Sequence, residues 1–339
     1  MTLSRDAVIS RARAFGFDLC GIAPAERTPK LARFADWIQS GQAGEMTYLG
    51  RSADERLDPA RVLPGVRSIV SVAVVYNTDA PAAGAISRYA WGRDYHDVLR
   101  ERLTQLLRWM AETAGTGFEA FSCVDAGPVQ ERVFAEQAGL GWIGKNTCLI
   151  NPGLGSWLFL GEILTNAAIE HDTPLPDQCG TCTRCLDACP TGAIVEPYRV
   201  DARRCLSYLT IETRGALGAE WRDALHDRVY GCDICQDVCP WNRRAATSSD
   251  PAWQPREDLS SARLIDLCRL SDDAWRAVLR TSHMRRAGLR RLRRSLAYAA
   301  GTMAPDERRQ ALDALETQSS AGFPEVADAI GWARSRPVE

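Results

Sequence analysis

Hydrophobic and polar positions follow two alternating periods through the first half of the chain. Apolar residues recur at helical spacing in four segments, which are residues 3–15, 29–39, 94–114 and 128–138. Between them lie four apolar runs of strand length, which are residues 17–23, 68–76, 118–124 and 157–164. The run Ser68–Tyr76 is apolar and β-branched nearly throughout, so we predict a strand that is buried on both faces. The pattern predicts an α/β domain over residues 1–166, with helices covering a sheet.

The pattern changes twice in the second half. Residues 167–245 are rich in cysteine and begin near the proline-bearing segment Thr173–Pro176. After a polar stretch, Ala245–Asp258, apolar residues return at helical spacing and predict several short helices over residues 260–335. We therefore predict three domains, which are residues 1–166, 167–245 and 246–339.

Eight of the twelve cysteines lie from Cys179 to Cys239. Seven of them form two related spacings, Cys-x2-Cys-x2-Cys-x3-Cys-Pro and Cys-x2-Cys-x3-Cys-Pro, and Cys205 stands alone between the two runs. This spacing is typical of two 4Fe-4S clusters, in which the cysteine before proline ligates the other cluster. Aligning the two runs leaves Cys205 as the missing fourth ligand. The predicted sets are Cys179, Cys182, Cys185 and Cys239 for the first cluster, and Cys189, Cys205, Cys232 and Cys235 for the second.

Two other uses of these cysteines are disfavoured. Zinc prefers sets of four ligands around one ion, and this spacing suits a cubane better. Disulfides are disfavoured because the chain has no secretory leader. The remaining cysteines lie in apolar surroundings and are predicted to be small buried hydrophobes; they are Cys20, Cys123, Cys148 and Cys268.

Composition indicates a globular protein. The chain has 339 residues, of which 45% are hydrophobic and 25% charged, with a formal net charge of −2. No apolar run approaches the length of a membrane span, and the N-terminus has neither a continuous apolar core nor an Arg-Arg pair. We therefore expect a cytoplasmic protein.

Two loops of the α/β domain are candidates for chemistry. Asp125 directly follows the strand over residues 118–124, where a ligand crevice is expected in an open α/β sheet. Asp125 also fits a helix N-cap, since Pro128 follows, and the residues alone favour the cap. Residues 139–146 hold three glycines and Lys145, which indicates a site for phosphate or carboxylate only weakly, because neither nucleotide-binding fingerprint matches.

Six segments together closely resemble the epoxyqueuosine reductases, and the resemblance covers nearly the whole chain. The segments are Ser87–His96, Val124–Pro128, Ala138–Asn146, Pro190–Ile194, Arg204–Glu212 and Cys232–Asn242. The resemblance implies an enzyme that reduces the epoxide of epoxyqueuosine, in the anticodon wobble position of tRNA, to queuosine with loss of water. It also implies cobalamin in the α/β domain, which would be related to the cofactor domain of reductive dehalogenases, and C-terminal helices that resemble a HEAT-like repeat.

The resemblance also implies roles for individual residues. Asp125 matches the proton donor, and we expect desolvation under cobalamin to keep its carboxyl protonated near neutral pH. The implied cobalamin contacts are Arg51, Asp125, Leu149, Leu160, Ile163, Leu209, Asp233 and Ile234. No histidine ligand to cobalt is expected, because Asp94-Tyr-His96 begins the relevant motif but Leu99 replaces its glycine. Electrons would arrive singly through the clusters from an external low-potential donor, and the enzyme is expected to be a monomer.

The segment from Arg280 to Arg294 contains seven arginines and no acid. Leu289, Leu292 and Leu296 lie at helical spacing, which predicts that the arginines occupy a solvated helix face. An ordinary basic surface is the alternative, but the lack of acids favours phosphate binding. The predicted tRNA contacts are Arg285, Arg290, Arg293 and Arg294, and Tyr95 or Trp142 could stack on the flipped-out base unless they are core aromatics.

Two other functions remain open from the sequence. One is a cobalamin enzyme like the reductive dehalogenases, acting on a small molecule, which the missing twin-arginine leader and the arginine-rich helix disfavour. The other is a two-cluster electron-transfer protein, which leaves the first 166 residues without a purpose.

Overall fold

The computed structural model describes residues 3–80, 84–125, 127–256, 259 and 262–337. Its first half alternates helices and strands as the periodicity predicts. The helices are α1 (Arg5–Ala14), α2 (Pro29–Gln39), α3 (Thr47–Arg51), α4 (Ala53–Leu57), α5 (Pro59–Val62), α6 (Tyr95–Ala114) and α7 (Glu131–Gln137). The strands are β1 (Leu19–Pro24), β2 (Ser68–Val75), β3 (Ala120–Cys123), β4 (Trp142–Ile143), β5 (Leu149–Ile150) and β6 (Leu158–Thr165).

Local chemistry accounts for the helix ends. The Ser4 hydroxyl accepts a hydrogen bond from the Ala7 N–H at the start of α1, and Thr28 does the same for Leu31 at the start of α2. Asp94 caps α6 in this way through the N–H of His96. The same helix ends before Gly115, whose φ of 82° suits glycine.

The main sheet has the strand order β1-β2-β6-β3, and every neighbouring pair is antiparallel. The rule that ligands bind at the carboxyl ends of parallel strands therefore gives no support for a site at Asp125. The position is nevertheless at a sheet edge, because β2 and β3 both run opposite to β6 and end on the same side. Every residue of β2 is buried, as predicted.

The sheet separates two hydrophobic cores. On one face, Val70, Val72 and Val74 of β2 pack with the apolar sides of α1 and α6. On the other face, Ile69 and Ala73 pack with α7. This two-sided cover is why the alternation along β2 disappears from the sequence.

The cysteine-rich segment contains short elements. These are α8 (Arg184–Asp187), β7 (Ile194–Glu196), β8 (Arg199–Val200), α9 (Leu206–Ile211), α10 (Ala219–Arg222) and α11 (Ile234–Asp237). Helices α8 and α11 occupy equivalent positions in the two cysteine runs and pack against each other. Strands β7 and β8 form a hairpin.

The C-terminal part is helical, as predicted. Its helices are α12 (Leu264–Arg269), α13 (Asp272–Arg280), α14 (Gly288–Ala300), α15 (Pro305–Glu316) and α16 (Pro324–Arg334). Helix α14 is central, because α9, α12, α13, α15 and α16 all contact it. A third core joins these helices to residues 202–230 and to residues 85–91 of the first half, so the hydrophobic cores cross the predicted domain boundaries. Among the helices described, none combines the length and apolarity that a membrane crossing requires.

Candidate functional site

The four cysteines predicted for the first cluster face one cavity. Cys179, Cys182, Cys185 and Cys239 line a cavity of about 280 Å³, together with Asn146, Ile150 and Trp241. Cys179 and Cys182 come from the loop that leads into α8, Cys185 lies in α8, and Cys239 follows α11 at the end of the second cysteine run. Thiols from both runs around one cavity are what the crossed ligand pattern of a two-cluster protein requires. The residues present therefore fit a 4Fe-4S cluster.

The cysteines predicted for the second cluster are also neighbours. Burial raises the pKa of Cys205, and the nearby Cys189 raises it further. Burial likewise raises the pKa of Cys232 to about 12, with a further contribution from Cys205. A hydrogen bond with Cys148 and burial raise the pKa of Cys235 well above its ordinary value, and the nearby Cys232 and Cys205 raise it further. The set Cys189, Cys205, Cys232 and Cys235 is thus close enough to interact, which fits a second cluster.

Cys148 adds a thiol that the sequence did not assign to this region. Its side chain forms a hydrogen bond with Cys235, which lowers the pKa of Cys148 to about 7. The prediction of four small buried hydrophobes therefore holds for Cys123 and Cys268, whereas Cys20 and Cys148 are half-buried and Cys148 has a polar partner.

The glycine- and lysine-bearing loop over residues 139–146 joins the two halves of the protein. Lys145 Nζ donates to the carbonyl oxygens of Gly180 at 2.6 Å and Cys182 at 3.0 Å, in the first cluster loop. Asn146 Nδ2 donates to the Cys235 carbonyl at 3.3 Å, in the second. A side chain on Gly141 would lie 2.3 Å from the Ile150 carbonyl oxygen. Lys145 and Gly141 therefore serve packing between loops, and the suggestion of a phosphate or carboxylate site here is wrong.

A larger cavity of about 840 Å³ lies between the sheet domain and the β7–β8 hairpin. Its lining includes Trp37, Tyr48, Asp125, Glu131, Tyr198 and Arg286. Three residues with left-handed backbone line it, namely Asp125 (φ 55°), Thr147 (φ 66°) and Tyr198 (φ 69°). Such a conformation costs about 1–3 kcal/mol for a residue other than glycine and is enriched at functional sites.

Asp125 lies at this cavity in a network of polar side chains. Its Oδ2 accepts hydrogen bonds from the Tyr95 hydroxyl at 3.0 Å and from His96 Nε2 at 3.2 Å. The other ring nitrogen of His96, Nδ1, lies 2.8 Å from Asp94 Oδ1. The side chain of Asp125 is 54% exposed, so a ligand in the cavity can reach it.

The structure corrects the interpretation of Asp125 as a helix cap. Helix α7 begins at Glu131, and Gln130 occupies its N-cap position. Instead of accepting a hydrogen bond from the first turn of the helix, Asp125 donates one from its backbone N–H to Glu131 Oε1. Asp125 thus stands in the loop before the helix, with a side chain available for chemistry.

His96 and Asp125 shift each other's ionisation. Burial alone would raise the pKa of Asp125, but the hydrogen bond from His96 and the charge of that ring outweigh it and lower the pKa. Burial alone would lower the pKa of His96, but its bonds to Asp125 and Asp94 raise it to about 9. At neutral pH these shifts place the proton on His96. The prediction that desolvation under bound cobalamin keeps Asp125 protonated concerns the loaded site and stays a prediction.

Two further carboxyl groups, which belong to no recognisable sequence motif, lie near Asp125. Burial and the charge of Asp125 raise the pKa of Glu131 to about 8. Behind it, Glu162 on β6 is fully buried, and neither of its oxygens has a hydrogen-bond partner among the described residues. Burial and then Glu131 raise the pKa of Glu162 well above its ordinary value. Both acids are therefore neutral at neutral pH.

The predicted cobalamin contacts differ in their exposure and in whether they line the large cavity. Asp125 lines the large cavity, and Leu49 lines it two residues before Arg51, which is itself exposed on α3. Leu160, Asp233 and Ile234 are half-buried, whereas Leu149 and Leu209 are 4% and 3% exposed. Ile163 has no exposed surface and packs in the core beside β2, so its prediction as a ligand contact is wrong.

Two of the predicted tRNA-binding arginines are also corrected. Arg293 and Arg294 have no exposed surface, because α14 is surrounded by other helices. Arg293 pairs with Asp272 at 2.8 Å, and Arg294 donates to the carbonyls of Thr213 and Gly215 at 2.8 and 2.7 Å. The prediction that they lie on a solvated face is wrong.

The neighbouring arginines remain accessible. Arg285 and Arg290 are each 56% exposed, and they lie 3.2 Å from Asp94 and 2.8 Å from Glu325. Arg286, which was not among the predicted contacts, lines the large cavity. Its guanidinium donates to Glu212 at 2.5 Å and lies 4.9 Å from the centre of the Tyr48 ring.

The two aromatics proposed for base stacking already have aromatic neighbours within the protein. Both faces of Tyr95 are covered, by His96 at 4.1 Å and by Phe159 at 4.3 Å between ring centres. Trp142 has no exposed surface and packs against Trp241. The core alternative therefore holds for Trp142, whereas Tyr95 is half-buried against the core and its hydroxyl bonds Asp125.

Comparisons with known proteins agree with this architecture. Residues 178–242 match the family model described as a 4Fe-4S double cluster binding domain. Residues 56–126 match the model described as Epoxyqueuosine reductase QueG, DUF1730. The epoxyqueuosine reductase of Gloeobacter violaceus is 47% identical over 306 residues, which cover 86% of this chain and 95% of that protein. The epoxyqueuosine reductase of Escherichia coli K12 is 39% identical over 334 residues, with coverages of 96% and 87%.

Solved structures give the same result. A crystal structure of epoxyqueuosine reductase superposes with a TM-score of 0.87 at 32% identity, covering 97% of this chain and 88% of that one. Another, of an epoxyqueuosine reductase with an epoxyqueuosine-modified tRNA-Tyr stem loop, has a TM-score of 0.81 at 30% identity and coverages of 98% and 94%. Sequence identity of this extent over nearly the full length establishes the family, and the chain belongs to the epoxyqueuosine reductases.

Proposed function

We propose that this oxidoreductase acts on epoxyqueuosine in the anticodon wobble position of tRNA, reduces its epoxide and forms queuosine and water. The observation that carries the proposal is the Asp125–His96 pair at a large cavity, beside two sets of four cysteines. Family membership gives the substrate, and the relative solved with a modified tRNA stem loop supports tRNA as its carrier.

The Asp125–His96 pair suits the first proton transfer. Opening an epoxide leaves negative charge on the oxygen, and an acid within hydrogen-bond reach lowers that barrier. His96 Nε2 holds a proton 3.2 Å from Asp125 Oδ2, and the carboxylate faces the cavity. A bound ligand that excludes water raises the pKa of Asp125, so the proton shifts from His96 to Asp125 and then to the substrate oxygen. Asp125 is thus the donor, and His96 is the residue that stores the proton and orients it.

The cofactors we propose are cobalamin and two 4Fe-4S clusters. When bound, cobalamin supplies a strongly reducing metal centre, and the clusters pass electrons singly from an external low-potential donor. The large cavity offers both aromatic rings and polar groups for a bulky cofactor, including Trp37, Tyr48 and Tyr198. Of the contacts predicted from the sequence, we retain Arg51, Asp125, Leu149, Leu160, Leu209, Asp233 and Ile234.

The proposed tRNA contacts are accessible arginines of the C-terminal part. We assign phosphate contacts to Arg285 and Arg290, which are half-exposed, and add Arg286 at the cavity. A phosphate would have to replace Asp94 as the partner of Arg285 and Glu325 as the partner of Arg290. Each contact therefore contributes less binding free energy than a contact with an unpaired arginine would. We further propose that the C-terminal helices form a HEAT-like repeat and that the enzyme works as a monomer in the cytoplasm, where tRNA is modified.

The experiment that tests the function is a direct conversion assay. The protein is purified without oxygen, loaded with iron, sulfide and cobalamin, and incubated with epoxyqueuosine-containing tRNA and a strong reductant. Digestion of the tRNA and mass spectrometry of the nucleosides should show queuosine in place of epoxyqueuosine. Unchanged nucleoside from protein with full cluster and cobalamin content contradicts the proposal, and tRNA without the epoxide serves as the blank.

A further inference from the structure

Removal of an epoxide oxygen as water requires two protons. The two C–O bonds break, two electrons enter to form the C=C bond, and two O–H bonds form on the departing oxygen. The external reductant of the reaction supplies both electrons. The protein must therefore deliver two protons to one oxygen in each turnover.

The Asp125–His96 pair accounts for one of them. The 3.2 Å hydrogen bond between the two side chains involves a single proton, which His96 holds while Asp125 is ionised. After Asp125 has given that proton away, the pair returns to its charged state only by taking another from elsewhere. A second acid near Asp125 could deliver the second proton without waiting for the pair to be protonated again.

Most acids around Asp125 are unsuited to the role. Tyr95 is already bonded to Asp125, and both faces of its ring are covered. Burial raises the pKa of Tyr48, which makes it a weaker acid than an ordinary phenol. Glu136 lines the cavity but is tied to Lys30 and to the Ile143 N–H. Glu162 has no exposed surface, so a ligand cannot reach it.

Glu131 meets the geometric requirements. It lines the same cavity as Asp125, and its Oε1 accepts the Asp125 N–H, which fixes the two side chains relative to each other. Oε1 therefore acts as the carbonyl oxygen of a neutral acid, and Oε2 is the atom that carries the proton.

The groups around Glu131 explain why it stays neutral. Burial and the negative charge of Asp125 favour the protonated acid, while Arg56 and Arg132 oppose it. The neighbouring Glu162 is itself neutral and adds no negative charge. The balance keeps a proton on Glu131 up to a pKa of about 8.

We propose that Glu131 is a second catalytic acid, which protonates the oxygen when its second C–O bond breaks, after Asp125 has protonated it at the first. This inference rests on the proposed reduction of epoxyqueuosine. It assigns the two protons of the reaction to two different carboxyl groups on either side of one loop.

The test compares Glu131→Gln with the wild type in single-turnover reactions on epoxyqueuosine-containing tRNA. Glutamine keeps the oxygen that accepts the Asp125 N–H and removes the proton. We expect a rate about 10²–10⁴-fold lower, which is the usual contribution of a general acid. The wild-type rate should fall as the pH rises through about 8, and E131Q should lack that fall. Tight tRNA binding and the visible absorbance of the clusters should be unchanged in the variant.

Glu119→Gln is the matched control, since Glu119 is exposed before the start of β3, at the end of the strand away from Asp125. A rate for E131Q within twofold of the E119Q rate, with the wild-type pH profile, overturns the inference and leaves the proposed function intact. A wild-type enzyme that is fully loaded and inactive instead overturns the proposed function, and this inference with it.

A second variant and a spectroscopic measurement guard against misfolding of E131Q. Arg132 is exposed and lowers the pKa of Glu131, so Arg132→Gln should move the fall in rate to higher pH. In the protein without cobalamin or tRNA, infrared difference spectra across the same pH range should show one carboxylic acid band that disappears as Glu131 ionises. An unshifted profile in R132Q, or the absence of a band that titrates in this range, contradicts the assignment.

Discussion

His96 Nε2 lies 3.2 Å from Asp125 Oδ2, and the opposite ring nitrogen lies 2.8 Å from Asp94. The imidazole is thus held between two carboxylates, one of which faces the cavity while the other is buried at the start of α6. This arrangement makes the ring a proton store whose orientation is fixed from both sides.

Asp125→Asn should retain the fold but lose turnover. Asparagine preserves the shape of the side chain and can still contact His96, but it cannot donate a carboxyl proton. We expect the single-turnover rate to fall by about 10²–10⁴-fold, measured as queuosine formed in tRNA. Cluster absorbance, cobalamin binding and tRNA affinity should match the wild type, and an active D125N enzyme would contradict the assigned role.

His96→Gln should alter the pH dependence of stability. The pKa of His96 is about 9 in the folded protein and 6.5 in an unconstrained chain, so its charged form stabilises the fold. That contribution, about 3 kcal/mol at most, is fully present below pH 6.5 and lost as the pH rises through 9. The Tm difference between wild type and H96Q should therefore be largest below pH 6.5 and smallest above pH 9. A difference that does not change with pH would exclude this linkage.

Lys145→Met should impair the first cluster more than the second. The change removes the two hydrogen bonds to the Gly180 and Cys182 carbonyls, which shape the loop that carries three of the four thiols. We expect iron and sulfide content to fall toward that of one 4Fe-4S cluster. Lys30→Met is the control, because Lys30 pairs with Glu136 and has no contact with a cysteine loop in the described part of the chain. Equal iron content in both variants would show that Lys145 is dispensable.

Arg293→Met and Arg290→Met should separate stability from tRNA binding. Loss of Arg293 leaves Asp272 buried without its cation, which costs about 3–5 kcal/mol and should lower Tm markedly. Arg290 pairs with the buried Glu325, but Glu325 lies at the start of α16 and keeps Arg294 nearby, so R290M should lower Tm less than R293M does. R290M should also reduce the number of phosphate contacts inferred from the salt dependence of tRNA binding by about one. Thermal melts and binding titrations over a range of salt concentrations distinguish the two. A strong effect of R290M on Tm with no effect on salt dependence would argue against a phosphate contact.

The sequence predicted the elements well because burial leaves a clear periodicity. Helix α2 was placed at its observed ends, and β2 was recognised from an uninterrupted apolar run. Strand direction leaves no such trace, so the antiparallel order of the sheet could not be foreseen. The double-cluster region was predictable because its cysteine spacing is itself typical of 4Fe-4S ligation, while the division of the thiols into two ligand sets stays a prediction.

Predictions from the sequence were wrong or absent where the hydrogen-bond partner of a polar side chain is distant along the chain. Arg294 resembles its exposed neighbours in sequence, yet carbonyls near α9 accept its hydrogen bonds and allow it to be buried. The link between Cys148 and Cys235 depends on loops 87 residues apart meeting in space. The acidity of Glu131 likewise depends on Asp125 and on burial, neither of which a pattern of residues encodes.

The loop that carries Lys145 and Asn146 has a consequence for how the enzyme matures. Its neighbours Ile143 and Thr147 line the large cavity. Lys145 donates hydrogen bonds to backbone carbonyls of the first cysteine run, and Asn146 donates one to a backbone carbonyl of the second. Insertion of iron and sulfide would therefore set the shape of the cavity wall as well as complete the electron path. A substitution that breaks the contacts of Lys145 or Asn146 with the cysteine loops should therefore disturb the cavity wall together with cluster binding.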